Sequence, residues 1–365
     1  MTPRMTKILL ALSAPVLALL AAFVITSVVL AVAGDPVFDV WGQILSVPET
    51  RNLSNILDNA TVLYLSGIAA AIGFRMNLFN IGVDGQYRTA AFVAAVVAGE
   101  AWLPGYLNTV LAIMAAIAVG ALWAGIAGVL RATRGVSEVI STIMLNFIAT
   151  GLVAYSLRKA AVREEGSNVI ETKEIPEGSR IPGFEIGDAP NTEVYGFLVI
   201  AVLVGFLYWF VLNKTRFGFD LRATGQSATA AVASGISVTK MTVAAMMLSG
   251  AVAGLVGLPI LLGSSYSYGS TFQSGLGFAG IAIALLGRNN AVGIAIGALL
   301  FAYLDEQSNP LQILVDVSPD IVAITQGVIV LTVVISYEIV RRYGLRLEQQ
   351  AVARALARER EKVSV

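Results

Sequence analysis

The residues best suited to chemistry lie in one short segment, 74–92, which reads FRMNLFNIGVDGQYRTAAF. A carboxylate (Asp84), two guanidinium groups (Arg75 and Arg88), several side-chain amides and two glycines stand there between the uncharged runs 59–73 and 89–99. Such groups can hydrogen-bond a polar solute, hold a proton or a sodium ion, or pair with one another. The choice depends first on the solvent that surrounds the chain.

Composition indicates that this solvent is lipid. The chain has 365 residues, of which 56% are hydrophobic and 13% are charged, whereas soluble domains carry about 25% charged residues. The runs are continuous rather than alternating, so they predict helices and not a β-barrel. The sequence therefore predicts an all-α polytopic membrane protein. The uncharged runs are 8–34, 101–130, 139–157, 194–213, 241–287 and 321–337.

About ten transmembrane helices are predicted from these runs and the turn residues between them. The first run is far longer than the core of a cleaved signal, about 7–15 residues, and is interpreted as a retained helix. The predicted helices are 8–33, 54–73, 84–99, 107–130, 137–158, 194–212, 241–262, 276–287, 291–306 and 319–340.

The distribution of basic residues orients this bundle. Loop 213–240 has four basic residues and one acid, and the tail 341–365 has seven basic residues and three acids. Loop 159–193 contains eight acids, which outnumber its bases. By the positive-inside rule, both termini and loop 213–240 are expected in the cytoplasm and 159–193 outside. We expect one transmembrane domain over 1–340, followed by a charged helical tail over 341–365.

Three segments stand out from this pattern. In 74–92, the polar groups are expected to face a bundle interior or an aqueous path; alternatively, Arg75 and Arg88 mark the membrane interface and Asp84 pairs with one of them. In 217–240, Ala228–Ala233 predicts a short helix that ends at Gly235, and two short helices flanking Gly225 and Gly235 would form a compact cytoplasmic knob. Segment 277–304 predicts a helical hairpin whose glycines allow close packing.

Several classes of enzyme are excluded by the absence of their residues. The chain has no histidine and no cysteine, which excludes thiol chemistry, disulfides and metal sites or triads based on histidine. None of its six lysines follows a glycine, so it has no P-loop of its own. No catalytic residue and no metal site are predicted.

Four motifs carry a family resemblance: LFNIGVDGQ (78–86), GVSEVISTIMLNFIA (135–149), LRATGQSATAAVASGIS (221–237) and FAGIAIALLGRNNAVG (278–293). They resemble the permease subunits of bacterial ABC importers for nucleosides, branched-chain amino acids and simple sugars, over roughly residues 50–340. The first and last are most like the nucleoside-type members. Asp84 stands where those members often have Glu, and Gln226 stands where an acid is expected.

The resemblance implies a subunit without ATPase activity in a multi-pass bundle of the type found in larger ABC importers. It implies alternating access in the bacterial cytoplasmic membrane. The expected partners are a cytoplasmic ATPase that holds ATP and Mg²⁺, an extracellular solute-binding lipoprotein, and a second, paralogous permease in a heterodimer. No cofactor bound by this chain and no nucleic acid are expected.

The residues expected to serve in transport form two sets, one for the solute pathway and one for the contact with the ATPase, and there is also one charge pair. The candidates for the solute pathway are polar or aromatic, as a nucleoside requires, although the aromatic ones are also typical of interfacial anchors and Asn146 of a bond between helices. Glu138 and Arg134 are expected to form a cytoplasmic charge pair or gate. The pathway candidates are Asn77, Phe79, Asn80, Asp84, Gln86, Asn146, Phe147, Tyr266, Tyr268, Phe272 and Gln273. The residues expected to meet the ATPase are Leu221, Arg222, Gly225, Gln226, Ala230, Gly235 and Ile236.

Three functions therefore remain open. The leading hypothesis is an ATP-driven importer of nucleosides, with simple sugars and branched-chain amino acids as alternative solutes. The second is an ion-coupled secondary transporter that uses Asp84 as a proton or sodium site. The third is a structural or channel-like bundle that allows only downhill flux.

Overall fold

A computed structural model describes residues 3–162, 170–186 and 192–363 of the chain. Fourteen α-helices lie within these described ranges, together with a 3-10 turn at Glu177–Ser179, a π-helix at Leu261–Ser265 and a two-stranded antiparallel sheet of β1 (Phe184–Glu185) and β2 (Glu193–Val194). The helices are α1 (Pro3–Ala33), α2 (Val37–Ile44), α3 (Thr50–Arg75), α4 (Val83–Glu100), α5 (Tyr106–Arg134), α6 (Glu138–Ala160), α7 (Phe197–Lys214), α8 (Arg216–Gln226), α9 (Ala228–Ala233), α10 (Val238–Ala253), α11 (Leu258–Ile260), α12 (Leu276–Leu286), α13 (Ala291–Leu314) and α14 (Asp320–Val363).

Each of the ten predicted helices corresponds to a helix in the structure, but three details of the prediction were wrong. Helix α2 was missed. In the helix predicted over 241–262, α10 ends at Ala253, and two short helical turns follow. Helix α13 extends past residue 306 to Leu314. The tail expected to be helical over 341–365 is helical as far as Val363, where it continues α14.

Seven helical segments within the described residues are long and apolar enough to cross a membrane. The chain is therefore a multi-pass membrane protein. The three predicted spans that do not meet these limits lie in α4, which carries three charged residues, in α12, which has 11 residues, and in α13. Ten spans with both ends in the cytoplasm remain a prediction.

The chain packs as two compact units. The first comprises Met1–Ser46 and Gln307–Val365, and the second comprises Val47–Glu306. In the first unit, α1 packs against α14. The Trp41 indole donates to Ser27 Oγ at 3.0 Å, and Gln307 Nε2 donates to the Ser46 carbonyl at 2.8 Å.

Helix α3 forms the centre of the second unit. Every residue over 65–73 is buried, including Gly67, Gly73 and three consecutive alanines, and α3 packs against α7, α10 and α12. Small side chains let neighbouring helices approach closely from several sides, which is how helices associate in lipid. A side chain at Gly280 of α12 would meet Ser66 of α3.

Helices α5 and α10 cross with their backbones in contact. A Cβ atom added at Gly120 would meet the Gly250 carbonyl, and one added at Gly254 would meet the Ala116 carbonyl. The sequence Gly-x-x-x-Gly over 250–254 thus faces a row of small residues, Ala116, Gly120 and Ala124. This geometry is possible only without side chains at the crossing.

The loop predicted to be extracellular, 159–193, includes residues 163–169 and 187–191, which lie outside the described residues. Its described part runs along the segment that follows α10. The amides of Thr172 and Ile175 donate to the carbonyls of Tyr268 and Tyr266 at 3.0 and 2.8 Å. The loop therefore folds back onto the segment that precedes α12.

Candidate functional site

The connection between α3 and α4, residues 76–82, places the polar groups of the opening segment. Helix α3 closes where the Gly73 carbonyl accepts bonds from the amides of Met76 and Leu78, both at 3.0 Å. Asn77 adopts a left-handed backbone with φ +58°, and α4 begins at Val83. The connection between α3 and α4 is therefore irregular, and polar residues gather in and next to it.

Two of the pathway candidates, Asn80 and Gln86, bond to each other. Their side chains are 1% and 0% exposed, and each amide nitrogen donates to the other residue's oxygen at 3.0 Å. Asn80 also donates to Ser249 Oγ at 2.9 Å and accepts from the Gly82 amide at 2.9 Å, while Ser249 donates to the Ala69 carbonyl. The pair links α3, α4 and α10, and neither side chain is open to a solute in this conformation.

Breaking this amide pair should destabilise the bundle. Asn80→Ala leaves the Gln86 amide and the Gly82 N–H buried without their partner, and each such group costs about 1–3 kcal/mol. We expect the detergent-solubilised protein to unfold at a clearly lower temperature, as measured by thermal denaturation. Gln226→Ala is the matched control, because Gln226 is an exposed amide side chain in the last turn of α8. Equal stability of the two variants would contradict the assignment.

Asn146, another candidate, joins α6 to α4. Its Oδ1 accepts from the Gly85 amide and its Nδ2 donates to the Ile81 carbonyl, both at 2.9 Å. Gly85 allows this contact, because a Cβ there would lie 2.8 Å from Asn146 Oδ1. In the structure, the Asn146 side chain therefore links α6 to the start of α4 by hydrogen bonds.

Asp84 lies at the start of α4 with two partners. Its side chain accepts from the Gly275 amide at 2.8 Å, and its other oxygen lies 3.9 Å from the guanidinium of Arg88, one helical turn later. Arg88 also donates to Thr150 Oγ1 on α6 at 3.0 Å. Its Nε is buried and has no hydrogen-bond partner among the described residues.

Arg88 and Thr150 are the residues that sequence reasoning left out of the candidate set. Arg88 is partly exposed and Thr150 is exposed, so they carry hydrogen-bonding groups onto the surface of α4 and α6 within the span. The spacing of Asp84 and Arg88, four residues apart on a helix, could have indicated the pair. Nothing in the sequence indicates Thr150.

An aromatic cluster lies beside these charges. The rings of Tyr268 and Phe272 stack with centroids 4.5 Å apart, and Phe92 of α4 meets Tyr268 edge-on at 5.7 Å. The Tyr87 hydroxyl donates to the Gln273 carbonyl at 2.8 Å, while the Gln273 side chain is exposed. Burial raises the pKa of the Tyr268 phenol, so its hydroxyl stays protonated and can donate a hydrogen bond.

The remaining pathway candidates lie apart from this cluster. The Arg180 guanidinium of the described loop covers the Tyr266 ring at 3.9 Å, and the Tyr266 hydroxyl donates to the Gly263 carbonyl. Phe147 is 71% exposed on α6. The Phe79 ring packs against Phe74 with centroids 4.9 Å apart.

The partner predicted for Glu138 was wrong. Its carboxylate lies 3.2 Å from Nε of Arg131, not from Arg134, and it also accepts from the Phe79 amide at 3.5 Å. Helix α5 ends at Arg134 and Gly135 follows with φ +67°, so the chain turns there and presents the guanidinium of the preceding helical turn. Glu138 therefore ties the ends of α5 and α6 to the α3–α4 connection.

The segment expected to meet an ATPase forms two short helices, as predicted. Ser227 caps the N-terminus of α9, because its hydroxyl accepts from the Ala230 amide, and the helix ends before Gly235, which has φ +81°. Leu221 is fully buried, and the amide of Ile236 donates to the Ala231 carbonyl. Gln226, Ala230 and Gly235 are exposed. Arg222 is half-buried, and its Nη1 atom has no hydrogen-bond partner among the described residues. A Cβ at Gly225 would lie 2.6 Å from the Arg75 carbonyl, so α8 packs directly on the end of α3.

No group of three or more acidic side chains that could hold a metal ion occurs among the described residues. The site instead combines an ion pair, hydroxyls and stacked rings, which suit the binding of a small polar solute. A profile for the permease component of branched-chain amino acid transport systems matches residues 52–335. The chain belongs to this family.

Relatives of this permease are components of ABC transporters. It is 37% identical to the guanosine ABC transporter permease NupP of Bacillus subtilis, over 82% of this chain and 84% of that protein. It is 33% identical to the glucose ABC transporter permease TsgB13 of Haloferax volcanii, over 92% and 90% of the two chains. The nucleoside ABC transporter permease NupB of Lactococcus lactis is 27% identical over 88% and 90%. The chain is therefore an ABC transporter permease component, and in this family the ATPase is a separate subunit.

Proposed function

We propose that this permease moves nucleosides into the cell by alternating access, driven by ATP hydrolysis on a partner subunit. The observation that carries the proposal is the Arg88–Thr150 contact beside the Tyr268–Phe272 stack. A nucleoside presents a flat base and a ribose with several hydroxyls. This site combines the partly exposed ring of Phe272, which stacks on the buried Tyr268, with the hydrogen-bonding groups of Arg88 and Thr150. The guanosine and nucleoside permeases among its relatives support the same solute class.

The position of Arg88 and Thr150 supports a second permease. An arginine within a span is costly against lipid, so such groups face protein or water. Here they lie on an α4–α6 surface that also exposes Met144, Phe147 and Ile148. We infer that a second, paralogous permease covers this surface and completes an aqueous pathway along it.

The remaining partners follow from the same proposal. The α8–α9 segment, residues 216–233, is the surface on which a cytoplasmic ATPase acts, with ATP and Mg²⁺ bound by that subunit and no cofactor bound by this chain. An extracellular lipoprotein delivers the solute. This assembly places the chain in the bacterial cytoplasmic membrane, with ten spans and both termini in the cytoplasm.

A simple sugar is the second candidate solute. The glucose permease of Haloferax volcanii covers slightly more of this chain than the guanosine permease does. A sugar would use the hydroxyl and guanidinium groups of the site without requiring the stacked rings. An ion-coupled mechanism through Asp84 is disfavoured, since that carboxylate already accepts from Gly275 and faces Arg88.

Uptake measurements test this proposal. Cells express the chain with its binding protein, second permease and ATPase, and labelled uridine, adenosine, ribose and leucine are supplied. We expect nucleoside uptake that disappears when the ATPase is catalytically dead. Uptake of ribose alone would show that the solute is a simple sugar and not a nucleoside. Uptake that survives the dead ATPase would contradict an ATP-driven importer.

A further inference from the structure

Arg75, at the end of α3, makes contacts that solute binding does not require. Its Nε and Nη2 atoms donate to the Asn289 carbonyl at 3.1 and 2.6 Å. The hydroxyl of Tyr208 on α7 donates to the same oxygen at 2.7 Å. Three donors from two helices therefore converge on one backbone carbonyl in the turn between α12 and α13.

That turn has a defined and uncommon shape. Arg288 and Asn289 both have left-handed backbones, with φ +53° and +54°, a conformation that residues other than glycine rarely adopt and that persists when its surroundings hold it. The Asn290 side chain accepts from the Val292 and Gly293 amides and fixes the start of α13. A displacement of Arg75 would therefore move this turn and, with it, the C-terminal end of α12.

The backbone of Arg75 touches the segment proposed to meet the ATPase. A Cβ at Gly225 of α8 would lie 2.6 Å from the Arg75 carbonyl and 2.8 Å from Met76 Cα. These contacts join backbone to backbone, with no flexible side chain between them. A movement of α8 would therefore push directly on the backbone at the end of α3.

The other end of α12 reaches the candidate solute site. Gly275, which immediately precedes α12, donates to Asp84 at 2.8 Å, and Ser66 of α3 donates to the Leu276 carbonyl at 2.7 Å. The helix between these ends has 11 residues, so it is a short rod of about 16 Å at 1.5 Å per residue. One rigid element thus joins the Arg75 contact to the Asp84–Arg88 pair.

We propose that Arg75 is a positioning residue that transmits displacement of the α8–α9 segment through α12 to Asp84 and Arg88. This inference rests on the proposed function. The guanidinium suits the role because two of its N–H groups hold one carbonyl in a fixed direction, whereas a lysine ammonium is a flexible point charge. In this proposal Arg75 does not contact the solute. It transmits the movement that ATP hydrolysis produces in the α8–α9 segment to the candidate solute site.

The test compares solute uptake with ATP consumption in the complete transporter reconstituted in liposomes. Arg75→Ala should keep ATP hydrolysis that the loaded binding protein stimulates, but the solute moved per ATP should fall about tenfold, within the range of known coupling energies. Arg51→Ala is the matched control, because Arg51 is an exposed arginine at the opposite end of α3. Arg75→Lys should recover little, since it restores the charge but not the two-pronged contact.

A second readout separates positioning from a structural role. The chain contains no cysteine, so a single Ser274→Cys substitution at an exposed residue next to α12 reports local exposure to a water-soluble thiol reagent when the other subunits are also free of cysteine. Its labelling rate should differ about fivefold or more between ATP-free and vanadate-trapped transporter, and Arg75→Ala should abolish this difference, since a transmitted coupling of about 1 kcal/mol corresponds to that ratio.

Three outcomes decide the inference. An unchanged ratio of solute to ATP in Arg75→Ala overturns it, as does a labelling difference that persists in that variant. If Arg75→Ala does not assemble, Tyr208→Phe decides, because it removes one hydrogen bond and should lower the ratio about threefold; no change would overturn the inference. Failure of the proposed function is distinct, since it would appear as ATP-independent uptake by the unaltered transporter.

Discussion

Replacing Gly120 by leucine is expected to eliminate the folded permease. At the crossing of α5 and α10, a Cβ at position 120 would already meet the Gly250 carbonyl, with the Gly254 amide at 2.9 Å and its Cα at 3.0 Å. All three atoms belong to backbone, so the obstruction cannot be relieved by rotating a side chain. The helices would have to separate along their whole contact.

The energetic consequence should be large. Overpacking a core that can adjust costs about 1–3 kcal/mol, and here the neighbours are rigid helices whose association depends on this close approach. Since native stability is only about 5–15 kcal/mol, Gly120→Leu should remove most of it. Gly120→Ala should be intermediate, because the Cβ alone makes the contact.

Thermal unfolding of the detergent-solubilised protein and the monodisperse fraction in size-exclusion chromatography measure this effect. Gly151→Leu provides the control, because Gly151 is on α6 with no atom within 4 Å of an added Cβ. That variant should unfold within a few degrees of the unaltered protein, since surface substitutions usually change stability by about 0.5 kcal/mol or less. Similar losses in both variants would show that the α5–α10 crossing is not the sensitive element.

The helices themselves could be predicted because lipid makes the pattern simple: an uncharged run of sufficient length becomes a helix. The same logic missed α2, a short helix over Val37–Ile44 that contains Asp39 and follows a Gly-Asp-Pro turn. The same logic placed the end of the last span at residue 340, because charged residues resume at Arg341. Helix α14 continues to Val363 because Ala, Arg, Glu and Gln, which fill this segment, are strong helix formers whether or not lipid surrounds them.

The break after α10 shows a different limit. Residues 241–287 carry no charge, so hydropathy gives no sign that the helix stops at Ala253 and resumes as short turns around Pro259. Gly254 and Gly257 allow the break, but glycines also occur inside intact helices of this chain, such as Gly120. What distinguishes them is tertiary packing, which a single sequence does not display.

The candidate site was only partly visible for a related reason. Segment 74–92 showed that polar groups gather near α4, and the four-residue spacing of Asp84 and Arg88 could have identified their pair. The bond from Gly275 to Asp84 joins residues 191 positions apart, and the contact of Arg88 with Thr150 joins residues 62 apart. The sequence also gave no sign that Asn80 and Gln86 would bond to each other in the interior, whereas Arg88 and Thr150 reach the surface.

Replacing Arg88 should therefore impair solute binding during transport more strongly than replacing Asn80, Gln86 or Asn146. Arg88→Met keeps the length and packing of the stem but removes the donors to Thr150 and the positive charge beside Asp84. Hydrogen bonds to charged groups contribute about 1.5–3 kcal/mol, so the KM for uptake should rise roughly ten- to hundredfold. Arg88→Lys should be intermediate, because it retains the charge.

The difficulty with Arg88→Met is that it leaves the Asp84 carboxylate buried with only the Gly275 amide as a partner. A loss of uptake could then reflect lost stability, since an unpaired buried charge is costly. The double variant Arg88→Met, Asp84→Asn removes both charges together and should restore thermal stability toward that of the unaltered protein. If Arg88 contacts the solute, uptake in this double variant stays as low as in Arg88→Met. Recovery of uptake together with stability would instead show that Arg88 serves only to neutralise Asp84, and Arg158→Met, at an exposed arginine on α6, controls for a general effect of lost charge.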